Sequence, residues 1–289
     1  MRKFIIALLL LGSILFLIGR LSEVETILIT LQRGDWLYIS LALGLMVLWL
    51  LNISLSYQSI LRAFGIEENI SVLLPLSASM FFLGVIAPSA GMSSIALLSA
   101  EARKRGFSPA RAAVANALFI VFDEFGVLSL VAVGFLVLFR RNNITVVEIT
   151  AAGILLLAML ILGTLLFLGM RSARELGQAL AWLVRMVNRA VRPFTKHAYL
   201  SEDHAREFAH DAAEGLRDLR RNPRTLLAPA VLAITNKLLL LAILASVFLA
   251  FKVPISPGTV VAGLSISQLF LIVSPTPAGM GVVEGTLTL

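Results

Sequence analysis

The stretch Gln268 to Leu289, QLFLIVSPTPAGMGVVEGTLTL, most constrains what this chain can become. It is apolar enough to enter a bilayer, yet Pro275, Pro277, Gly279 and Gly281 crowd its middle. Proline removes a backbone donor and clashes with the preceding turn, and glycine carries an entropic penalty inside a helix. A plain spanning helix would break here. Broken backbone at membrane depth survives only when it is buried in protein or lines a wet cavity. Past the break stands Glu284, with no charged neighbour in sequence. An ionisable group at such a place marks a functional site by default.

The same pattern occurs in Leu83 to Ala96, LGVIAPSAGMSSIA. Aligning Ala90-Gly91-Met92 on Ala278-Gly279-Met280 also sets Leu83 opposite Leu271 and Val85 opposite Val273. Two broken hydrophobic segments in corresponding positions of two halves point to a transporter's binding site. Pro88, Gly91, Pro277, Gly279 and Gly281 are therefore candidates for a broken-helix headgroup site, since free N–H groups at a half-helix start suit phosphate. The competing reading is that these residues only kink a packed helix and that Glu284 caps a neighbour.

Composition agrees with a membrane setting. Hydrophobic residues make up 58% and charged residues 14%, and the mean hydropathy is +0.93, far from soluble-domain values. The chain reads as a single membrane domain, 1–289. Its net charge of +7 does not indicate nucleic acid, because the basic residues fall mainly between apolar runs. That is the positive-inside pattern, with anionic lipid headgroups as the expected partner. Cysteine is absent, so there is no thiolate chemistry and no disulfide framework. Met1-Arg2-Lys3 precedes an apolar run from Phe4 to Gly19 that ends without a small-residue cleavage site, which predicts an uncleaved first helix.

Taken in order, 1–35 holds this helix and an interfacial segment. Trp36 to about Tyr57 is the second span, and Val72 to Ser99 is the first broken run, interrupted by Pro75, Pro88 and Gly91. A basic connection, Glu101 to Arg111, leads through Ser108-Pro109, a helix cap and first position, into Ala112 to Phe139. Residues 36–139 thus form a first repeat. Ile144 to Met170 spans again. The polar section 171–224 carries eleven Lys/Arg against seven Asp/Glu and reads as amphipathic helix at the cytoplasmic or interfacial side. Leu226 to Phe251 is the last full span, and 225–289 is the expected second repeat, which stops one helix short either because the sequence is a fragment or because the repeat is trimmed. The expected fold is an all-α polytopic integral membrane protein with about five spanning helices. Two broken, re-entrant segments enter from opposite faces as an inverted-topology repeat. With Arg2-Lys3 inside, the N-terminus is cytoplasmic, and Arg140-Arg141 faces outward against the charge bias.

Asp123-Glu124 sits near the centre of one span and Lys237 in another. A charge at mid-bilayer costs about 2.5–3.5 kcal/mol on insertion scales, so these groups should face protein or a wet cavity. One reading is a purely structural ion pair with Lys237, and the other is a polar substrate path through Asp123, Glu124, Lys237, Glu284, Asn116 and Asn236. Asn116 and Asn236 suit interhelical hydrogen bonds better than ligand contacts. The histidines, all between 197 and 210, include a Glu207-x-x-His210 spacing. Crowding by Asp203, Arg206, Asp211 and Glu214 favours a solvated helix over a metal site. No catalytic constellation is visible, so neither an enzyme nor a cofactor is expected.

The order of these features carries a resemblance. Two helices precede Ala87-Pro88-Ser89-Ala90-Gly91, then come Gly106-Phe107-Ser108 and a helix with central charges. The chain closes on Pro277-x-Gly279-x-Gly281-x-x-Glu284. It resembles the flippase-like transmembrane region of lysylphosphatidylglycerol synthases and its stand-alone relatives over nearly its whole length. Ala278 stands where a glycine is usual, and Asp123-Glu124 replaces a Glu-Arg arrangement. The soluble aminoacyl-transferase domain of the synthases has no counterpart here. The resemblance implies a lipid translocase that moves a phospholipid or lipid-linked glycan headgroup; with no eukaryotic targeting signal visible in the sequence, a bacterial or archaeal plasma membrane is the expected location. The alternative is a non-transporting scaffold that holds a synthase or glycosyltransferase partner; a homo-oligomer is compatible with either.

Overall fold

A computed structural model describes residues 29–86, 92–140, 146–191 and 201–273. Nine α-helices run in order through these residues: α1 Trp36–Ala63, α2 Ile70–Ile86, α3 Met92–Lys104, α4 Pro109–Arg140, α5 Val146–Arg171, α6 Ala173–Val191, α7 Glu202–Arg221, α8 Leu227–Ala250 and α9 Pro257–Val273. A single 3-10 turn, Pro223–Leu226, leads into α8. Among the described residues α1, α4, α5 and α8 are long and apolar enough to cross a membrane, whereas α2 and α9 are shorter. The chain is an all-α polytopic membrane protein. The fifth expected span, Phe4 to Gly19, lies outside the described residues, as do Pro88, Gly91, Pro277, Gly279, Gly281 and Glu284.

Local chemistry explains the boundaries. The Asp35 carboxylate accepts the Leu37 N–H at 3.0 Å and caps α1, satisfying one orphan donor of the first turn. Ser108 caps α4, accepting from the Arg111 N–H at 3.5 Å, with Pro109 as the first helical residue. Three sequence expectations need correction. First, α1 continues past Tyr57 to Ala63, because its polar last turns pack on protein: Gln58 donates to the Glu68 carbonyl at 2.8 Å. Second, Pro75 lies inside α2; near a helix start its missing N–H removes a single bond, and its own carbonyl accepts from the Ser79 hydroxyl. Third, the basic connection begins later, since α3 runs through Glu101 to Lys104.

The two open ends of the α2–α3 hairpin lie together. Arg105, just past α3, reaches Glu68, just before α2, at 3.1 Å, and Glu101 at 2.8 Å. The hydrogen bond from Arg105 holds the half-buried Glu101 carboxyl below its ordinary range. Together α2 and α3 leave one end of the bundle and return to it.

Alongside the two broken segments, α1–α2 and α8–α9 repeat each other in detail. Each first helix ends in a phenylalanine cap, Phe64 or Phe251, with φ −94° and −97°. The following residue is left-handed in both, Gly65 at φ 72° and Lys252 at φ 55°. The Ile66 N–H then bonds the Leu61 carbonyl at 2.9 Å, and the Val253 N–H bonds that of Phe248 at 3.0 Å. These are matching Schellman closures. Helices α1 and α8 pack antiparallel: the Asp35 N–H donates to the Ala250 carbonyl at 2.8 Å, and at the other end Ser56 and Ile60 face Pro229 and Ala233. Antiparallel packing of repeated units is what an inverted repeat requires.

The polar section divides into the hairpin α6–α7. Gly177 of α6 lies against Ala209, and α7 buries Ala209, Ala212, Leu216 and Leu219 with Phe64, Leu73 and Val114 in the principal core. Arg111 bridges to Glu214 at 3.2 Å. The connection after α3 and helix α7 therefore sit at one end of the bundle, beside the end of α1 and the starts of α4 and α8.

The repeated closure generates a stability prediction. Lys252 adopts a conformation that costs an L-residue roughly 1 kcal/mol, whereas Gly65 adopts it freely. Thermal unfolding in detergent should show Lys252→Gly stabilised by roughly 0.5–1 kcal/mol and Gly65→Ala destabilised by about as much. A Cβ at Gly65 would meet open space, so the second effect is conformational alone.

Candidate functional site

Helix α4 carries the polar residues of the bundle interior at helical spacing. Asn116 and Asp123 are two turns apart and share a face, and Phe119 lies between them. Helix α8 brings Asn236 and Lys237 to the same level. The Lys237 ammonium donates to Asp123 Oδ1 at 2.7 Å, with side-chain exposures of 7% and 32%. This is the intramembrane pairing that sequence anticipates, and its length is that of a charge-assisted bond. Close approach depends on Gly126: a Cβ there would stand 2.9 Å from the Ala233 carbonyl oxygen and 3.1 Å from the Lys237 side chain.

Glu124 points elsewhere, as neighbouring positions on a helix must. Its Oε2 is buried and has no hydrogen-bond partner among the described residues. A narrow crevice opens beside the pair, lined by Ser56 of α1, Phe119, Phe122 and Asp123 of α4, and Asn236 of α8, among others. Ser56 and Asn236 are buried, so three polar side chains from three helices meet there.

Asn116 lies outside that crevice. It is fully buried and accepts the Tyr57 hydroxyl at 2.8 Å, while its own amide donates to Ser94 at 3.4 Å. The Tyr57 ring stacks on Phe119 at 4.2 Å between centroids. Asn116 thus joins α1, α3 and α4 as an interhelical hydrogen-bond centre. Sequence reasoning missed Ser56, Tyr57 and Phe119. A polar run within an apolar helix, Asn52 to Ser59, was the available signal. The proline–glycine headgroup site and Glu284 fall outside the described residues.

The pair can be tested apart from any transport. Lys237→Met strands Asp123 without its cation and should destabilise by up to about 3 kcal/mol, moderated by the partial exposure of Asp123. Adding Asp123→Asn should recover most of that loss in detergent unfolding. If the double variant is no more stable than the single one, the coupling is absent.

No curated protein and no solved structure matches the chain. A family model described as the lysylphosphatidylglycerol synthase TM region matches residues 4–289. With helices of this number and length, and that match covering nearly every residue, the chain belongs to the lysylphosphatidylglycerol synthase transmembrane-region family.

Proposed function

We propose that this protein is a lipid translocase, moving a phospholipid or lipid-linked glycan headgroup across the plasma membrane without altering it chemically. The observation that carries the proposal is Glu124. A buried carboxylate oxygen with no partner among the described residues is costly, and Glu124 stands next in sequence to Asp123, which pairs with Lys237 and lines the crevice. A headgroup bearing hydroxyl or amine donors would supply what Glu124 lacks, while its acyl chains stay in lipid. Membership of a family concerned with membrane lipid handling supports the substrate class.

The repeat supports the route. Two matching units packed antiparallel can exchange conformations about a fixed central site, which is how inverted repeats give access to alternate faces. The crevice is too narrow for a headgroup in this conformation, so passage would require α4 and α8 to part at the Gly126 contact. The broken segments at Pro88-Gly91 and Pro277-Gly279-Gly281, with Glu284, complete the path in this reading. The basic end bearing α6 and α7 is assigned to the cytoplasm, and the N-terminus with it.

The test is lipid movement in proteoliposomes loaded with fluorescent phospholipids. Glu124→Gln keeps the shape and removes the charge, and should slow transport by about tenfold or more, equivalent to roughly 1.4 kcal/mol, with thermal stability retained. Charge reversal on the outer face of α7, at Glu207 and Asp211, should leave transport intact. The opposite pattern, an indifferent Glu124→Gln and loss of function in cells on reversing α7, would replace translocation with the scaffold reading.

A further inference from the structure

The 171–224 section is basic as a whole, but its two helices differ sharply. Helix α6 carries Arg174, Arg185 and Arg189 against Glu175. Helix α7 carries six acidic residues and four arginines. They also use their apolar faces differently. The alanines and leucines of α7 are buried in the bundle. On α6, Trp182 and Met186, one turn apart, are each 57% exposed, and Val187 is 40% exposed.

This unpartnered face opens onto a groove. Leu160, Ile161 and Leu168 of α5 form one wall, and Ala179, Trp182 and Leu183 of α6 the other, leaving the groove open along its length. Thr164, which also lines it, spends its hydroxyl on the Leu160 carbonyl, leaving an apolar cleft. The wall on α5 belongs to a membrane-crossing helix. Leu160 lies about 16 Å along that helix from Arg171, so the groove reaches well into the hydrocarbon from the level of the headgroups. Arg171, Arg174, Arg185 and Arg189 are all exposed.

We propose that α6 lies in the membrane interface, and that the groove between α5 and α6 seats an acyl chain of an anionic phospholipid whose headgroup meets the arginines of α6 and Arg171. Charge complementarity selects this occupant. On α6 Trp182 lies about 20° round the helix from Arg189, seven residues on, and an amphipathic helix that sets tryptophan and arginine side by side along the edge of its apolar face suits an anionic bilayer surface. Tryptophan is also favoured at headgroup level. The acidic helix α7 lies on the far side of α6 from this groove, where repulsion from the lipid surface is least. The inference rests on the membrane-spanning fold and holds whether or not the protein moves lipid.

Tryptophan fluorescence tests it on the full chain. Trp36 is exposed at the far end of α1 and Trp49 is buried, so Trp36→Phe leaves Trp182 as the exposed indole. Subtracting a Trp36→Phe/Trp182→Phe control isolates its emission. In vesicles containing phosphatidylglycerol with brominated acyl chains, the Trp182 component should fall at least twofold, while aqueous iodide leaves it unchanged. Native mass spectrometry should show phosphatidylglycerol retained by the parent protein. Ala179→Phe, which fills the groove, and Arg174→Gln/Arg185→Gln/Arg189→Gln should each reduce that retention several-fold. Quenching by iodide and not by bromine would place α6 in water and overturn the proposal. Equal retention of phosphatidylglycerol by parent and both variants would overturn the lipid seat.

Discussion

An ammonium group buried among apolar helices demands an anion, and the position of that anion fixes how the helices must pack. Lys237 of α8 is 7% exposed and meets Asp123 of α4 at 2.7 Å. For that bond to form, α8 must lie against α4 closely enough that Gly126 touches the Ala233 backbone. Since α8 also packs antiparallel along α1, one ion pair sets the mutual position of three of the four spanning helices seen. Hydrophobic burial gives little guidance of this kind in a bilayer, where lipid tails are as apolar as leucine. A polar contact of defined geometry supplies the register that greasy surfaces leave open.

The same logic extends along α4. Asn116, two turns before Asp123, ties Tyr57 and Ser94, and Ser265 of α9 donates to the Leu130 carbonyl at 3.1 Å. Beside that contact Gly134 gives Ser265 room to approach. Helix α4 is thus contacted by polar groups from α1, α3, α8 and α9 in succession. It acts as the mast to which both repeats are fastened. Small residues at 126 and 134 let the neighbours come close, and the hydrogen bonds decide where they stop. Glu124 is the exception on this helix, its Oε2 buried with no hydrogen-bond partner among the described residues.

Much of this was legible in the sequence, for physical reasons. Long apolar runs ending in charge show where helices cross, because the bilayer imposes a length on them. The Asp123–Lys237 pair was accessible by elimination, since few intramembrane charges exist to choose from. The broken character of Val72 to Ser99 was read from Pro88 and Gly91, and that expected break lies outside the described residues. Other features were hidden. The Schellman closures at Phe64-Gly65 and Phe251-Lys252 share a backbone shape but not a residue at the left-handed position, so the repeat is better preserved in conformation than in composition. Tyr57 looked like a helix terminus, and only packing against α4 shows that its hydroxyl serves Asn116. Pro75 looked like a breaker and is absorbed in the first turns of α2.

The division of labour between α6 and α7 shows why a charge total is a poor guide to a segment's role. Summed over 171–224 the section is simply basic, and the sum suits a solvated arm as well as a membrane-bound one. Resolved into helices, the positive charge of α6 coincides with the apolar surface that the bundle leaves open, and the acidic helix is the one whose apolar side is already consumed. Exchanging the two roles would expose leucine and alanine beside carboxylates at an anionic surface, which both the hydrophobic effect and electrostatics disfavour. The arrangement seen lets each helix bury its apolar side, α7 against protein and α6 against lipid.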